Sequence, residues 1–368
     1  MIKISNVVNN LANIILGKGV LTMRLVNAVD LEEGMIVAKA VYNENGRCLV
    51  NKDYELNTKA IQRISMLDYE RLWIKDGYDY ISDYLSDELK LKTVRCIKSI
   101  FTGYASKKVK FDLKKIDELK EVIENVVEEI MVNNQCVIQL SNLKNFSNNM
   151  YEHAVDVARV SVLIGVNMDL PKDRLVDLCE AAMLHDIGKT AIDSELLSKT
   201  TEFTKEEIDE INKHSVLSYE IMKKTGKFSV PAYAPSLQHH ERYDGNGYPN
   251  GIKGEKINLY ARIIQIANVY SNMRTGTSNT RAYSQSEVLE YFYADCSKQF
   301  DPKILKIFFA KVPIYEVGQI IKLSNGKKAF VIQNNEKALA RPIVRVLCED
   351  KTLGEEIDLS LNNNITII

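Results

Sequence analysis

All five histidines of this 368-residue chain, His153, His185, His214, His239 and His240, fall within one window of 88 residues. Uniform scatter would cluster five residues this tightly in only about one chain in a hundred, so the clustering has a cause. They occupy four separate segments, and three stretches of this region carry apolar residues at helical spacing. "RLVDLCEAAMLHDIGK" and "KEEIDEINKHSVLSYEIMKK" contain histidines, and "LYARIIQIANVYSNM" follows them at the same period. The pattern predicts an all-α core over residues 140–312, a fold that must bring several helices together around imidazoles.

The rest of the chain carries other periods. Residues 23–80 read as a small α/β module, with a strand "MIVAKAVY", an Asn45-Gly46 hairpin turn, a short helix in "NTKAIQRISML" and a strand in "YERLWI". Residues 81–139 read as a helical connector, with Ile116, Leu119, Val122, Ile123, Val126 and Val127 forming one stripe. All seven prolines lie at or after position 171, so none interrupts these helices. Beyond 313, short runs such as "KAFVIQ" and "PIVRVL" between turns predict a β-rich C-terminal module. Residues 1–22 match none of these patterns and read as a leader ahead of a natural start at Met23. The expected fold class is therefore multidomain, a central helical domain flanked by two small modules.

Charge and cysteine usage narrow the function. A net charge of −1 and a sequence pI near 6.6 give no basic field for a nucleic acid polymer or an anionic membrane. No apolar stretch has the length of a bilayer span, so no membrane insertion is expected. Six cysteines without a CxxC pair imply reduced thiols and a cytoplasmic location.

A single histidine on a half-apolar helix is usually a packing residue, but five together with His185 directly before Asp186 form a mixed nitrogen and oxygen donor set. Such donors suit iron, manganese, zinc or nickel. Lys189, four residues after His185, would be repelled by bound cations unless an anion lay between them, which favours a phosphate substrate.

The strings "YEHAVDVA", "AAMLHDIGK", "INKHSVLSYEIM" and "HHERYDGNGYP", in that order, resemble the HD-GYP family of the HD phosphohydrolase superfamily. The resemblance implies an all-α domain with two divalent metal ions, iron or manganese, and no organic cofactor. It also implies a cyclic dinucleotide substrate, cyclic di-GMP or the mixed GMP-AMP form, hydrolysed to linear dinucleotide or GMP. Residue by residue, His153, His185 and Asp186 would serve a first metal, and Asp186 would bridge to a second held by His214, His239 and His240. Lys189 would hold a phosphoryl oxygen. Asp244, Gly245, Gly247, Tyr248 and Pro249 match the glycine-rich turn, and of these Asp244, Gly247, Tyr248 and Pro249, with Arg281, would contact substrate.

The chain departs from the family where an aspartate is expected at Asn268 and a second acid at Ser271. An amide oxygen brings no charge, so the first metal should bind more weakly. Three readings follow: a cyclic dinucleotide phosphodiesterase, a degenerate relative that binds nucleotide or a partner protein without turnover, and a di-iron oxygenase. The helical stripe leaves room for a homodimer.

Overall fold

A computed structural model describes residues 23–38, 40–42, 48–66, 71–75, 85–105, 113–133, 149–276, 281–283, 285–311, 315, 319–335, 338, 340–348 and 353–368. The leader, the Asn45-Gly46 turn and residues 134–148, where the helical domain was expected to begin, lie outside the described residues. Contacts divide the chain into two compact units. One gathers the N-terminal strands and the C-terminal sheet, and the other gathers the long helices.

In the first unit, β1 (Met23–Asn27) pairs antiparallel with β4 (Arg71–Lys75), and β2 (Val41–Tyr42) with β3 (Cys48–Val50). Helix α1 (Thr58–Ser65) is capped by the Asn57 side chain, which accepts from Ala60 N at 3.0 Å. Val26, Val37, Leu56, Ile64, Leu72 and Ile74 form its core. Among the described residues of the strand expected over 35–42, Val41–Tyr42 is a strand, while Ile36 and Val37 make isolated bridges to Glu55 and Ile74. The backbone at Val37 turns aside to bond Tyr54 and Asp53, which ends the ladder.

The C-terminal sheet is an antiparallel meander of β5 (Ile320–Lys322), β6 (Lys328–Gln333), β7 (Ile343–Leu347) and β8 (Leu353–Asp358). Val344 and Val346 alternate inward along β7, and Ile321, Leu323, Ala329, Val331 and Leu359 complete a second core.

The helical unit contains α2 (Asp87–Ala105), α3 (Leu113–Val132), α4 (Asn149–Val166), α5 (Lys172–Leu184), α6 (Ser194–Ser198), α7 (Lys205–Asn212), α8 (His214–Thr225), α9 (Val230–Gln238), α10 (Leu259–Thr275), α11 (Gln285–Ala294) and α12 (Pro302–Lys311). Helix α4 is its axis. It is buried all round from His153 to Gly165 and packs against α2, α3, α5, α10 and α12. Even Arg159 is fully buried there, its charge met by Asp156 at 3.0 Å.

The expected connector belongs to this unit. Ile116, Leu119, Val122, Ile123, Val126, Val127 and Ile130 of α3 have no exposed surface, and α3 packs on α4 and α5. Seven apolar side chains on one stripe require a partner surface, and the helical domain supplies it. The boundary expected near 140 is therefore not a boundary of packing. None of the described helices is long and apolar enough to cross a membrane.

Candidate metal centre

Four of the five histidines sit at helix ends, and this placement aims them. His185 caps the C-terminus of α5, His214 opens α8 directly after α7, and His239 caps α9 with His240 next in the chain. The last turn of a helix leaves carbonyls without intrahelical partners. Three of these accept from imidazole Nδ1: Ala182 O from His185 at 2.8 Å, Ile211 O from His214 at 2.7 Å and Ser236 O from His239 at 2.7 Å. Each ring then turns an unprotonated Nε2 inward, the tautomer that a metal needs. His153, inside α4, has no such carbonyl, and its Nδ1 lies 2.9 Å from the Ser271 hydroxyl of α10.

Asp186 stands at the focus, 1% exposed. Its Oδ2 lies 3.3 Å from His185 Nε2 and 4.0 Å from His153 Nε2. Its Oδ1 lies 3.3 Å from His214 Nε2 and 3.7 Å from His239 Nε2. His240 Nε2 lies 3.0 Å from His214 Nε2. Donors about 2.0–2.2 Å from one ion stand roughly 3 Å or more apart, so these spacings fit coordination. The donor atoms fall into two groups that share the carboxylate: His153, His185 and Asp186, and Asp186, His214, His239 and His240. His153 Nε2, His185 Nε2 and Asp186 Oδ1 are buried without a hydrogen-bond partner. Nature seldom leaves buried polar atoms so, and divalent ions would satisfy them.

Electrostatics agree. Burial pushes the His153 and His214 imidazoles down to about 3 and holds those of His239 and His240 below their usual range. Neutral rings are the coordinating form. Burial opposes the charge on Asp186, but His185 and the Lys189 ammonium outweigh it and hold the carboxyl well below the usual range.

Lys189 would share the helical face of His185 only if the helix ran on past Gly188. Helix α5 instead ends at Leu184, and Ile187–Ala191 form a 3-10 turn that carries the Lys189 ammonium back to Asp186 Oδ2 at 2.6 Å. Gly188 continues this turn. A Cβ there would meet His214 O at 2.2 Å and Ser218 N at 2.6 Å, so only glycine lets the turn press against α8.

Beside the paired histidines opens a cavity of about 230 Å³, lined by His239, His240, Arg242, Asn246, Gly247, Tyr248, Gln265, Asn268, Val269 and Gln299. The Tyr248 ring stacks on His240 at 4.7 Å and 14°. Gly247 folds over the chain it follows, and a Cβ there would meet Arg242 N at 2.2 Å.

Of the residues expected to contact substrate, Gly247 and Tyr248 line the cavity. Asp244 does not: Arg242 holds its carboxylate through Nη2 at 3.1 Å and Nε at 3.3 Å, and it accepts from Asn246 N. Its contribution is to shape the turn. Pro249 and Arg281 are exposed and outside the lining, and Arg281 pairs with Glu287. Asn268 is 4% exposed beside His153, and its Oδ1 accepts from Asn272 at 2.9 Å.

Sequence reasoning missed three side chains. Ser271, read as a lost acid, orients His153. Glu241, buried behind the histidine pair, clamps the turn by accepting from Asn250 N at 2.7 Å and Ile252 N at 3.2 Å. An acid inside a histidine-rich string was a usable signal. Gln299 reaches the cavity from the α11–α12 loop, and nothing in its local sequence marks it.

The helices and this centre define a class of protein, a helical domain that gathers imidazoles and a shared carboxylate for divalent metal. The family comparison agrees: residues 135–304 match the HD domain family. It is 26% identical over 226 residues to a cyclic di-GMP phosphodiesterase of Pseudomonas aeruginosa, covering 61% of this chain and 54% of that one. It is 33% identical over 148 residues to the cyclic di-GMP phosphodiesterase response regulator RpfG of Xanthomonas campestris, covering 40% of this chain and 39% of the other. The chain thus spans about half the length, or less, of these curated relatives. Among solved structures, an HDG"Y"P protein of Bdellovibrio bacteriovorus shares the fold at a TM-score of 0.51 and 13% identity, covering 78% of this chain and 98% of that one.

Proposed function

We propose that this chain is a metal-dependent phosphodiesterase that hydrolyses a cyclic dinucleotide, cyclic di-GMP first, to linear dinucleotide, GMP or both. The observation that carries the proposal is Asp186, whose two oxygens face two separate groups of imidazoles. Hydrolysis breaks one P–O ester bond and adds water across it, hydroxide to phosphorus and a proton to the departing oxygen.

His153, His185 and Asp186 would hold one divalent ion, and Asp186, His214, His239 and His240 a second, with iron or manganese suited to these donors. Such ions supply Lewis acidity that makes hydroxide available near neutral pH and offset charge on the phosphoryl oxygens. The helix-end carbonyls fix the tautomers beforehand, so the ligands need no reorganisation. Lys189 supplies a positive charge at the mouth of the centre for a phosphoryl oxygen. The relatives' names support the cyclic dinucleotide as substrate.

The test is anaerobic purification with iron or manganese, metal counting, and chromatography of products after incubation with cyclic di-GMP. Two metals per chain with linear products are expected. Intact cyclic di-GMP from a protein loaded with two metals would reject the proposal.

One observation favours the second reading, a protein that binds without turnover: Asn268 adds no charge beside His153, and its oxygen is already engaged by Asn272. Asn268→Asp separates the two. If that variant gains an activity absent from the native chain, the native chain is a binding protein; if both turn over, this second reading fails.

A further inference from the structure

We propose that the cavity beside His240 is a nucleobase subsite that selects guanine over adenine, with the Gln299 amide and the Arg242 guanidinium as its reading groups. This rests on the phosphodiesterase reading above. The volume, about 230 Å³, is far above the ~30 Å³ share of a single water and below the ~300–1,000 Å³ of pockets that enclose drug-sized molecules. It suits one ring system, with the rest of a dinucleotide lying over the metal centre and outside.

Where Gln299 and Arg242 meet, the polar lining has a definite sense. Gln299 Oε1 accepts from Arg242 Nη1 at 3.1 Å and from Tyr291 Oη at 2.9 Å. Both neighbours are donors, which fixes the amide orientation and leaves Nε2 with two hydrogens to give. Arg242 has five N–H groups, of which Asp244 takes two and Gln299 one. Its fork is held rigid by the same bonds. A wall of rigid donors suits a ring edge made of acceptors.

Guanine presents two acceptors, O6 and N7, on one edge, and a guanidinium matches that pair. Adenine presents N7 beside an N6 amine. Against the same wall its amine would face donors, and a buried donor without an acceptor is costly. The subsite should therefore accept any cyclic dinucleotide with at least one guanine, the mixed GMP-AMP form included, and disfavour cyclic di-AMP.

The experiment uses the full manganese-loaded chain and measures kcat and KM for cyclic di-GMP, the mixed GMP-AMP form and cyclic di-AMP. Bis(p-nitrophenyl) phosphate, a diester with no base, reports separately whether the native centre hydrolyses at all. We expect kcat/KM for both guanine-bearing dinucleotides to exceed that for cyclic di-AMP by tenfold or more. Gln299→Glu retains acceptors for Arg242 and Tyr291 but replaces the donor edge, and should narrow that preference by about tenfold, mainly through KM. Gln299→Met, which is neutral, should narrow it in the same direction and so separates lost recognition from added charge. Equal rates on cyclic di-AMP and cyclic di-GMP, or a preference unchanged in both variants, would overturn the subsite. Should the native chain cleave neither the simple diester nor any dinucleotide, the phosphodiesterase reading fails. Calorimetric binding of the three dinucleotides then still decides the subsite by the same order of preference.

Discussion

The two sides of Asp186 are built differently. On the Oδ1 side stand three imidazoles, two of them locked by helix-end carbonyls only three residues earlier in the chain. On the Oδ2 side stand two, of which His153 is oriented by the Ser271 hydroxyl from another helix, beside the neutral Asn268. Lys189 also shares Oδ2. A ligand fixed by an adjacent helix end forms whenever that helix forms. A ligand fixed by a side chain 118 residues away depends on the packing of α4 against α10. The Oδ1 side should therefore bind metal more tightly and more rigidly.

The most severe way to break this comparison removes what the sides share. Asp186→Ala should abolish the binding of a second ion and lower turnover by on the order of 10³ or more, since both charge neutralisation and ligand bridging go with it. Metal counting and initial rates check this, and retained activity would show that the carboxylate does not join the two groups. Ser271→Ala sharpens the contrast. Loss of a group that orients a metal-bound histidine typically costs 10–100-fold in affinity, and here the loss should fall on the weaker ion alone. In a calorimetric titration with manganese, the tighter isotherm should stay in place while the weaker one shifts.

A third variant tests whether stability and ligation are separable. Glu180, on α5 ahead of His185, is 6% exposed, and burial pushes its carboxyl up to about 7. A raised carboxyl favours its neutral form in the folded state, so stability falls as pH rises from the ordinary carboxylate value through 7. Glu180→Gln should remove this penalty. It should stabilise the chain at pH 8 by on the order of 2 kcal/mol and leave it unchanged at pH 4, with no effect on metal content on either side of Asp186. Denaturant melts at the two pH values measure it, and equal gains at both would contradict the assignment.

Much of this was legible in the residues themselves. Helical period predicted the stripes of α3, α5, α7, α8 and α10, because an apolar stripe is a local property of the chain. The five histidines and Asp186 stood out by type and spacing, because few side chains can hold a divalent ion. The division of labour between them was not legible. That α3 buries its stripe against α4 and α5, that Ser271 serves His153, and that Gln299 lies across the cavity from His240 all depend on contacts between residues far apart in the chain. Asp244 and Arg281, read as substrate contacts, are instead engaged by near neighbours in the chain, Arg242 and Glu287. Sequence alone determined which side chains are able to bind metal and which segments form helices. Tertiary packing decided which oxygen of Asp186 each imidazole faces, because that direction is set where helices end and meet.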